Sequence, residues 1–395
     1  MGSSNRRDFL RTAALGGVSA TAALAAAHLL PRRIFAQGTS DSARIAHRKL
    51  GLTGYNVSEI GMGCMNMRDA ELVHAAIDNG INYIDTARGY QRGENEEVIG
   101  QVMKTKRDKV FLTTKARARN ADDYRNQLEL SLKALQTDHV DLMLMHGPNS
   151  RNQVLDEDTM KAFDELKKKG MCRFVGVSVH SNQAEVLNAL VESNFWNAAL
   201  VGYNYFSPSD VRPAIERARK AGIGIIAMKN LLNPATFPWS RLDDIRKDKT
   251  SKITATQALI KWVLDDPYVD TTVPGMTSFE QLKEDIAIMN LNMSFDDNHM
   301  LNHYSELLKD YYCRGVAGCT GCQNQCPKGV KVCDLNRCLA YAYCYGNKEL
   351  AWENYRDLPN SSKVESCHDC TECSVKCVNG LNLTQNIKLA KELFS

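Results

Sequence analysis

The stretch Ile81-Asn82-Tyr83-Ile84-Asp85-Thr86-Ala87-Arg88-Gly89-Tyr90 decides how this chain reads. An apolar, β-rich run ends abruptly in an acid, and a tyrosine follows five residues later. The run VFLTTK ends in Lys115 in the same way, and DLMLMHG places His146 at the end of a third. Three titratable residues thus each close a strand-like segment. Parallel strands of one sheet bring such ends to a single edge, where open α/β sheets and (β/α)8 barrels carry their chemistry.

Outward from this stretch, between Glu59 and about Asn290, eight such runs alternate with helical patterns: EIGMGCM, NYIDTA, VFLTTKA, DLMLMHG, FVGVSVH, ALVGYN, GIGIIAMK and TTVPGM. Leu128, Leu132 and Leu135 fall on one helix face, as do Met160, Phe163 and Leu166. Gly80, Gly170 and Gly222 each end a helical pattern ahead of a strand. Eight parallel strands with crossover helices close most naturally into a (β/α)8 TIM barrel of α/β class. A doubly wound sheet is the alternative, but no G-x-G-x-x-G turn follows an early strand. Gly61-Met62-Gly63 reads only as a close-packing or hairpin-adjacent pair.

In order and spacing, Asp85, Tyr90, Lys115 and His146 resemble the catalytic tetrad of the aldo-keto reductases, and the resemblance covers about Arg48 to Asn290. A tyrosine hydroxyl titrates near about 10, too high to trade protons easily at neutral pH. In the reading the tetrad implies, the Lys115 ammonium lowers Tyr90, Asp85 holds Lys115 charged and in place, and His146 donates to a carbonyl oxygen that gains charge as hydride arrives. Each residue alone has a plainer reading: a rim ion pair, a loop anchor, a core histidine. The four together favour catalysis.

The resemblance implies hydride transfer between NAD(P)H and a carbonyl or alcohol substrate, with the nucleotide extended over the barrel mouth. Ser178, Asn204, Lys229, Gly275, Thr277 and Ser278 stand at the cofactor positions. The chain departs from the family pattern at three places. Val179 follows Ser178 where an asparagine is usual, Leu200 replaces a glutamine, and Pro274 to Ser278 lacks the basic residue that grips the 2′-phosphate of NADP. The choice between NAD and NADP is therefore not legible.

The 395 residues exceed a barrel of roughly 250. With 44% hydrophobic and 24% charged residues, a formal net charge of +3 and no clustered basic face in the body of the chain, the composition is that of a globular protein without a nucleic-acid surface. The first 36 residues differ. Arg6-Arg7-Asp8-Phe9-Leu10 precedes an Ala- and Gly-rich stretch from Thr12 to Leu30, followed by Pro31-Arg32-Arg33-Ile34-Phe35-Ala36. This resembles a twin-arginine signal, implying the export machinery as a partner and a periplasmic or otherwise extracytoplasmic location. An uncleaved anchor is less apt, since the stretch is weakly apolar for a spanning helix.

Eleven of the 13 cysteines lie between Cys313 and Cys377, so a second, mainly helical cysteine-rich domain is expected over 300–395, after a barrel over 44–293 and a polar linker near Ser294 to His299. Cys367-x2-Cys370-x2-Cys373-x3-Cys377 has the spacing in which three thiolates wrap one [4Fe-4S] cube and the fourth serves a second. Cys326 supplies the remote ligand, and Cys319, Cys322 and Cys313 join Cys377 at the second cube. Disulfides and structural zinc remain open alternatives. Cys333, Cys338 and Cys344 are unassigned. The tail resembles that of aldo-keto reductases with a ferredoxin-like segment, which implies one or two [4Fe-4S] clusters for electron relay or structure and a redox partner protein. The competing function is an exported iron-sulfur electron-transfer protein on a reductase scaffold.

Overall fold

The computed structural model describes residues 45–395 apart from 119, 232–252, 309–310, 318, 320, 323, 344–345 and 368, so the stretch 1–36, expected as a twin-arginine signal, and Cys344 lie outside the described residues. A hairpin of β1 (His47–Lys49) and β2 (Asn56–Ser58) comes first. It precedes β3 (Met62–Gly63), β4 (Tyr83–Asp85), β5 (Phe111–Ala116), β6 (Val140–His146), β7 (Cys172–Val179), β8 (Ala198–Gly202), β9 (Gly224–Met228) and β10 (Thr271–Thr272). Strands β3 to β10 form one parallel sheet in which each pairs with its chain neighbour.

The sheet closes on itself. Ile60 bridges Thr272 and Gly63 bridges Gly275, both in parallel. Gly63 N–H donates to the Pro274 carbonyl at 2.9 Å and Thr272 N–H to that of Glu59 at 3.0 Å. A Cβ on Gly63 would lie 2.7 Å from the Val273 carbonyl oxygen. The seam therefore needs glycine there, and Gly61-Met62-Gly63 belongs to the barrel seam rather than to a hairpin. All eight strand-like runs of the sequence are strands of this (β/α)8 barrel, although the first and last shrink to two residues each.

The hairpin plugs the amino-terminal end. Leu50 and Val57 pack with Tyr83, Phe111, Leu142 and Leu144 inside the barrel, and Tyr83 and Phe111 stack at 5.6 Å. Outward-facing strand residues meet the helices in the main core, where Leu128, Leu135 and Phe163 are wholly buried. With the bottom filled, the carboxyl-terminal rim is the end left for a site.

The stretch near Ser294 to His299, expected as a linker, instead starts the helix Phe295–Leu308. Ser294 N–H donates to Asp297 Oδ2 at 2.8 Å, and Asp297 N–H returns a bond to Ser294 Oγ at 3.1 Å. This reciprocal cap is a helix start. Met300, Leu301, Tyr304 and Leu308 then bury against Phe206 and Leu259 of the barrel flank. Further on, the helices Val332–Tyr343, Lys348–Arg356 and Leu383–Phe394 share a separate core, with Tyr355 and Phe394 stacked at 4.2 Å.

Asp141, near the start of β6, ties the barrel bottom together. It accepts from Leu112 N–H at 2.8 Å and pairs with Arg107 at 2.9 Å and Arg173 at 3.0 Å. Asp141→Ala strands two guanidinium groups and a buried amide, a loss on the order of 3 kcal/mol. Thermal unfolding followed by circular dichroism should show the midpoint fall by roughly 5 °C or more; an unchanged midpoint would contradict this role.

Candidate active site

The rim collects the strand-end residues. Asp85 closes β4, Lys115 lies near the end of β5, and His146 closes β6 opposite Ser178 of β7. Lys115 Nζ donates to Asp85 Oδ2 at 2.7 Å and to the Thr86 carbonyl at 2.6 Å, and both side chains are buried. Tyr90 opens a tight turn in which Gln91 and Arg92 take left-handed backbone angles, φ 51° and 54°. Non-glycine residues rarely adopt these unless the surroundings impose them. Here Gln91 Nε2 donates to the Met65 and Met67 carbonyls, and Asn95 Nδ2 to those of Cys64 and Met67. The turn so held sets the Tyr90 ring 4.8 Å from Lys115 Nζ and edge-on to His146, with ring centroids 6.3 Å apart.

The electrostatics differ from the expectation at one point. Tyr90 is pushed well above the usual phenol value, first by burial and then by the Asp85 carboxylate; Arg117 is the cation that pulls it down. Lys115 is too closely matched by Asp85 to act as a bare positive charge on the phenol. Burial pulls Lys115 down and pushes Asp85 up, each opposed by the other's charge. His146 is held well below the usual imidazole value by burial and by Arg117, Lys115 and Lys229, so it is neutral at pH 7.

Tyr90 and His146 line a cavity of about 340 Å³ with Arg117 and His180 from the barrel and Tyr341 and Asn354 from the cysteine-rich segment. Arg117, His146, His180 and Asn354 also line a neighbouring cavity of about 600 Å³. His180 and Ser178 share a hydrogen bond of 3.2 Å between Nε2 and Oγ, and the His146 and His180 rings lie 5.2 Å apart. Sequence reasoning passed over His180, although it follows directly on the fifth strand. It also passed over Arg117, two residues beyond Lys115, and it had no signal for Tyr341.

The residues named for a nucleotide are spread along this rim. Asn204 is fully buried; its amide donates to the Lys229 carbonyl and to the Tyr312 hydroxyl, both at 2.9 Å, and its Oδ1 accepts from Phe206 N–H. Ser278 caps the helix Phe279–Ala287, and Thr277 donates to Gln281. A Cβ at Gly275 would meet open space. Lys229 differs from these: its buried amine has no hydrogen-bond partner among the described residues, lies 5.6 Å from the Tyr341 ring centroid, and is pulled down to about 7 by burial and by Arg337 and Arg117. An unpartnered buried amine is a donor that a bound anion would satisfy. The fit to a nucleotide thus rests on Lys229 and the Gly275 turn, while Asn204 spends its polar groups within the fold.

The cysteines fall into two neighbourhoods. Cys326, Cys367, Cys370 and Cys373 line one cavity of about 500 Å³. Burial pushes Cys313 up to about 12, and the neighbouring thiols of Cys333, Cys377 and Cys319 add to this. Cys322 lies among Cys313, Cys377 and Cys319 and is held below the usual thiol range by a hydrogen bond from Cys333. Asn379 donates to both Cys319 and Cys377. Cys333 therefore sits with the second group, whereas Cys338 is buried in the helical core. Among the described residues, no three metal-binding side chains converge on the position of a single ion, and all twelve described cysteines are free thiols. A four-iron cube takes four thiolates, and Cys326, Cys367, Cys370 and Cys373 offer that number around one cavity.

Comparison with known proteins gives the barrel its place. The family model for the aldo/keto reductase family matches residues 59–306. The aldo-keto reductase YhdN of Bacillus subtilis is 36% identical over 308 residues, covering 63% of this chain and 90% of that protein. The methylglyoxal reductase DkgB of Salmonella typhi is 26% identical, over 62% of this chain and 92% of its own. A solved aldo-keto reductase from Klebsiella pneumoniae, in complex with NADPH, shares the fold at a TM-score of 0.54 and 24% identity, covering 66% of this chain and 95% of that one. With a closed eight-stranded barrel and a family match across it, the chain belongs to the aldo/keto reductase family of NAD(P)-dependent oxidoreductases.

Proposed function

We propose that the chain reduces a small carbonyl compound, or oxidises the matching alcohol, with Tyr90 as the proton donor. The observation that carries this is the Tyr90 ring held between the buried Lys115–Asp85 pair and the edge of His146, with Tyr90 and His146 facing one cavity. NAD(P)H, when bound, would supply the hydride for the carbonyl carbon. Burial keeps Tyr90 protonated until the carbonyl oxygen gains charge, and the neutral His146 donates a hydrogen bond to the same oxygen. The Lys115–Asp85 pair holds the Tyr90 ring in place, and Arg117 is the cation that favours the phenolate as it forms. Lys229 and the turn from Gly275 through Thr277 to Ser278 would hold the nucleotide, with Ser178 and Asn204 shaping the wall beside it. The like-folded Klebsiella enzyme with NADPH supports this cofactor class. Tyr90→Phe should slow carbonyl reduction by about 10²-fold or more and leave nucleotide affinity nearly unchanged; full activity in steady-state assays would remove Tyr90 from this role.

The leader over 1–36, the barrel over 44–293 and the cysteine-rich domain over 300–395 read together as an exported reductase carrying [4Fe-4S] clusters. Cys326, Cys367, Cys370 and Cys373 would hold one cluster, and Cys313, Cys319, Cys322 and Cys377 the other. Such clusters supply one-electron transfer to a redox partner, or staple the tail. Protein purified without oxygen should contain iron and acid-labile sulfide, and Cys370→Ser should lower both. Stoichiometric zinc without iron would refute the assignment.

An exported enzyme has no free pool of nicotinamide nucleotide to draw on, so the folded protein should leave the cytoplasm with NAD or NADP bound. Denaturing freshly isolated extracytoplasmic protein should release it. If none is released and none binds when added, the electron-transfer reading replaces hydride transfer; the fully engaged Asn204 amide and the tail lying over the barrel mouth are the observations that favour that second reading.

A further inference from the structure

The geometry points to Tyr341, a residue of the cysteine-rich segment, as the side chain that sets which carbonyl compounds reach Tyr90. This rests on the reductase reading and adds to it the origin of the pocket's outer wall. Tyr341 lies in the last turn of the helix Val332–Tyr343, is 5% exposed, and lines the same cavity of about 340 Å³ as Tyr90 and His146. Its ring lies 5.6 Å from Lys229 Nζ. A bulky ring on the wall of a cavity near the small end of the usual range of about 300–1,000 Å³ limits the substituent a carbonyl compound can carry.

The wall is fastened to the barrel. Arg117 pairs with Asp357 and donates to Asn354 Oδ1 at 3.0 Å. Asn347 Nδ2 donates to Asn66 Oδ1 at 2.8 Å, and Arg92 pairs with Glu349. These four contacts, made by the three barrel residues Arg117, Asn66 and Arg92, fasten the helix Lys348–Arg356 over the mouth, and Asn347 N–H donates to the Tyr341 carbonyl at 2.9 Å, which fixes the position of Tyr341 relative to Tyr90. The same helix starts beside the thiols of Cys322 and Cys333, which makes the cysteine-rich segment part of the substrate site as well as a separate core.

The test is a ratio measured on the full-length protein with NADPH or NADH. kcat/KM is compared for a small aldehyde, propanal, and a bulky one, benzaldehyde. Tyr341→Ala should shift the ratio toward benzaldehyde by about tenfold or more, whereas Tyr341→Phe, which keeps the ring, should shift it by less than threefold. Trp352→Ala serves as the structural control: its ring packs on Tyr355 and Phe394 away from the cavity, so it should lower the unfolding midpoint and leave the ratio alone. An unchanged ratio in a folded, active Tyr341→Ala, or the same shift in Trp352→Ala, overturns the role of Tyr341 and leaves the reductase reading intact. Wild-type protein that binds nucleotide yet reduces neither these two nor a wider set of aldehydes overturns the reductase reading and this inference with it.

Discussion

Lys115 can be buried only because Asp85 lies 2.7 Å away. A lone ammonium in that position would lose its hydration with nothing to replace it, and the chain would have to deprotonate it or expose it. The pair also fixes geometry. Asp85 ends β4 and Lys115 lies on β5, so the bond holds two neighbouring strand ends at one height on the rim, and the Thr86 carbonyl accepts a further hydrogen bond from the same ammonium. The Tyr90 turn packs on this pair, and His146 packs on Tyr90.

The field at this centre is set by burial first and by cations second. Lys115, Arg117 and Lys229 all bear on His146, and Lys229, Arg117 and Arg337 on His180, which keeps both imidazoles neutral. Lys115 and Arg117 are matched by carboxylates, Asp85 and Asp357, and Arg337 by Asp334. Among the described residues Lys229 has no such partner, and burial pulls its amine down to about 7.

The cysteine-rich segment has two physical jobs that compete for the same helices. Its own apolar core needs Leu335, Leu339 and Tyr355 packed inward, while its barrel-facing side presents polar residues, Asn347, Asn354 and Asp357, to the rim. A polar, hydrogen-bonded contact of this kind resembles an interface between domains more than a shared core. Cys333 lies in the first turn of the helix whose last turn carries Tyr341, so order at that thiol and order over the cavity are linked through one rigid element.

The sequence by itself determined the barrel and most of the rim. Strand and helix periods are local properties, and each run that ended in Asp85, Lys115 or His146 carried its own evidence of where a parallel sheet would put that residue. The C-x2-C-x2-C spacing of Cys367, Cys370 and Cys373 is likewise a local constraint on three thiols, and these line one cavity with Cys326. Only the tertiary structure decided the rest. That Gly63 closes the barrel against Pro274 depends on residues more than 200 positions apart. Ser294 to His299 looked like a linker because polarity is what a helix cap and a linker share. The direction of the Tyr90 shift reversed because burial sums over every neighbour, whereas the sequence showed only the nearest charge. Tyr341 was invisible for the same reason: its place over Tyr90 is fixed by Arg117, Asn354 and Asp357 meeting across the fold, and nothing local in either segment records that contact.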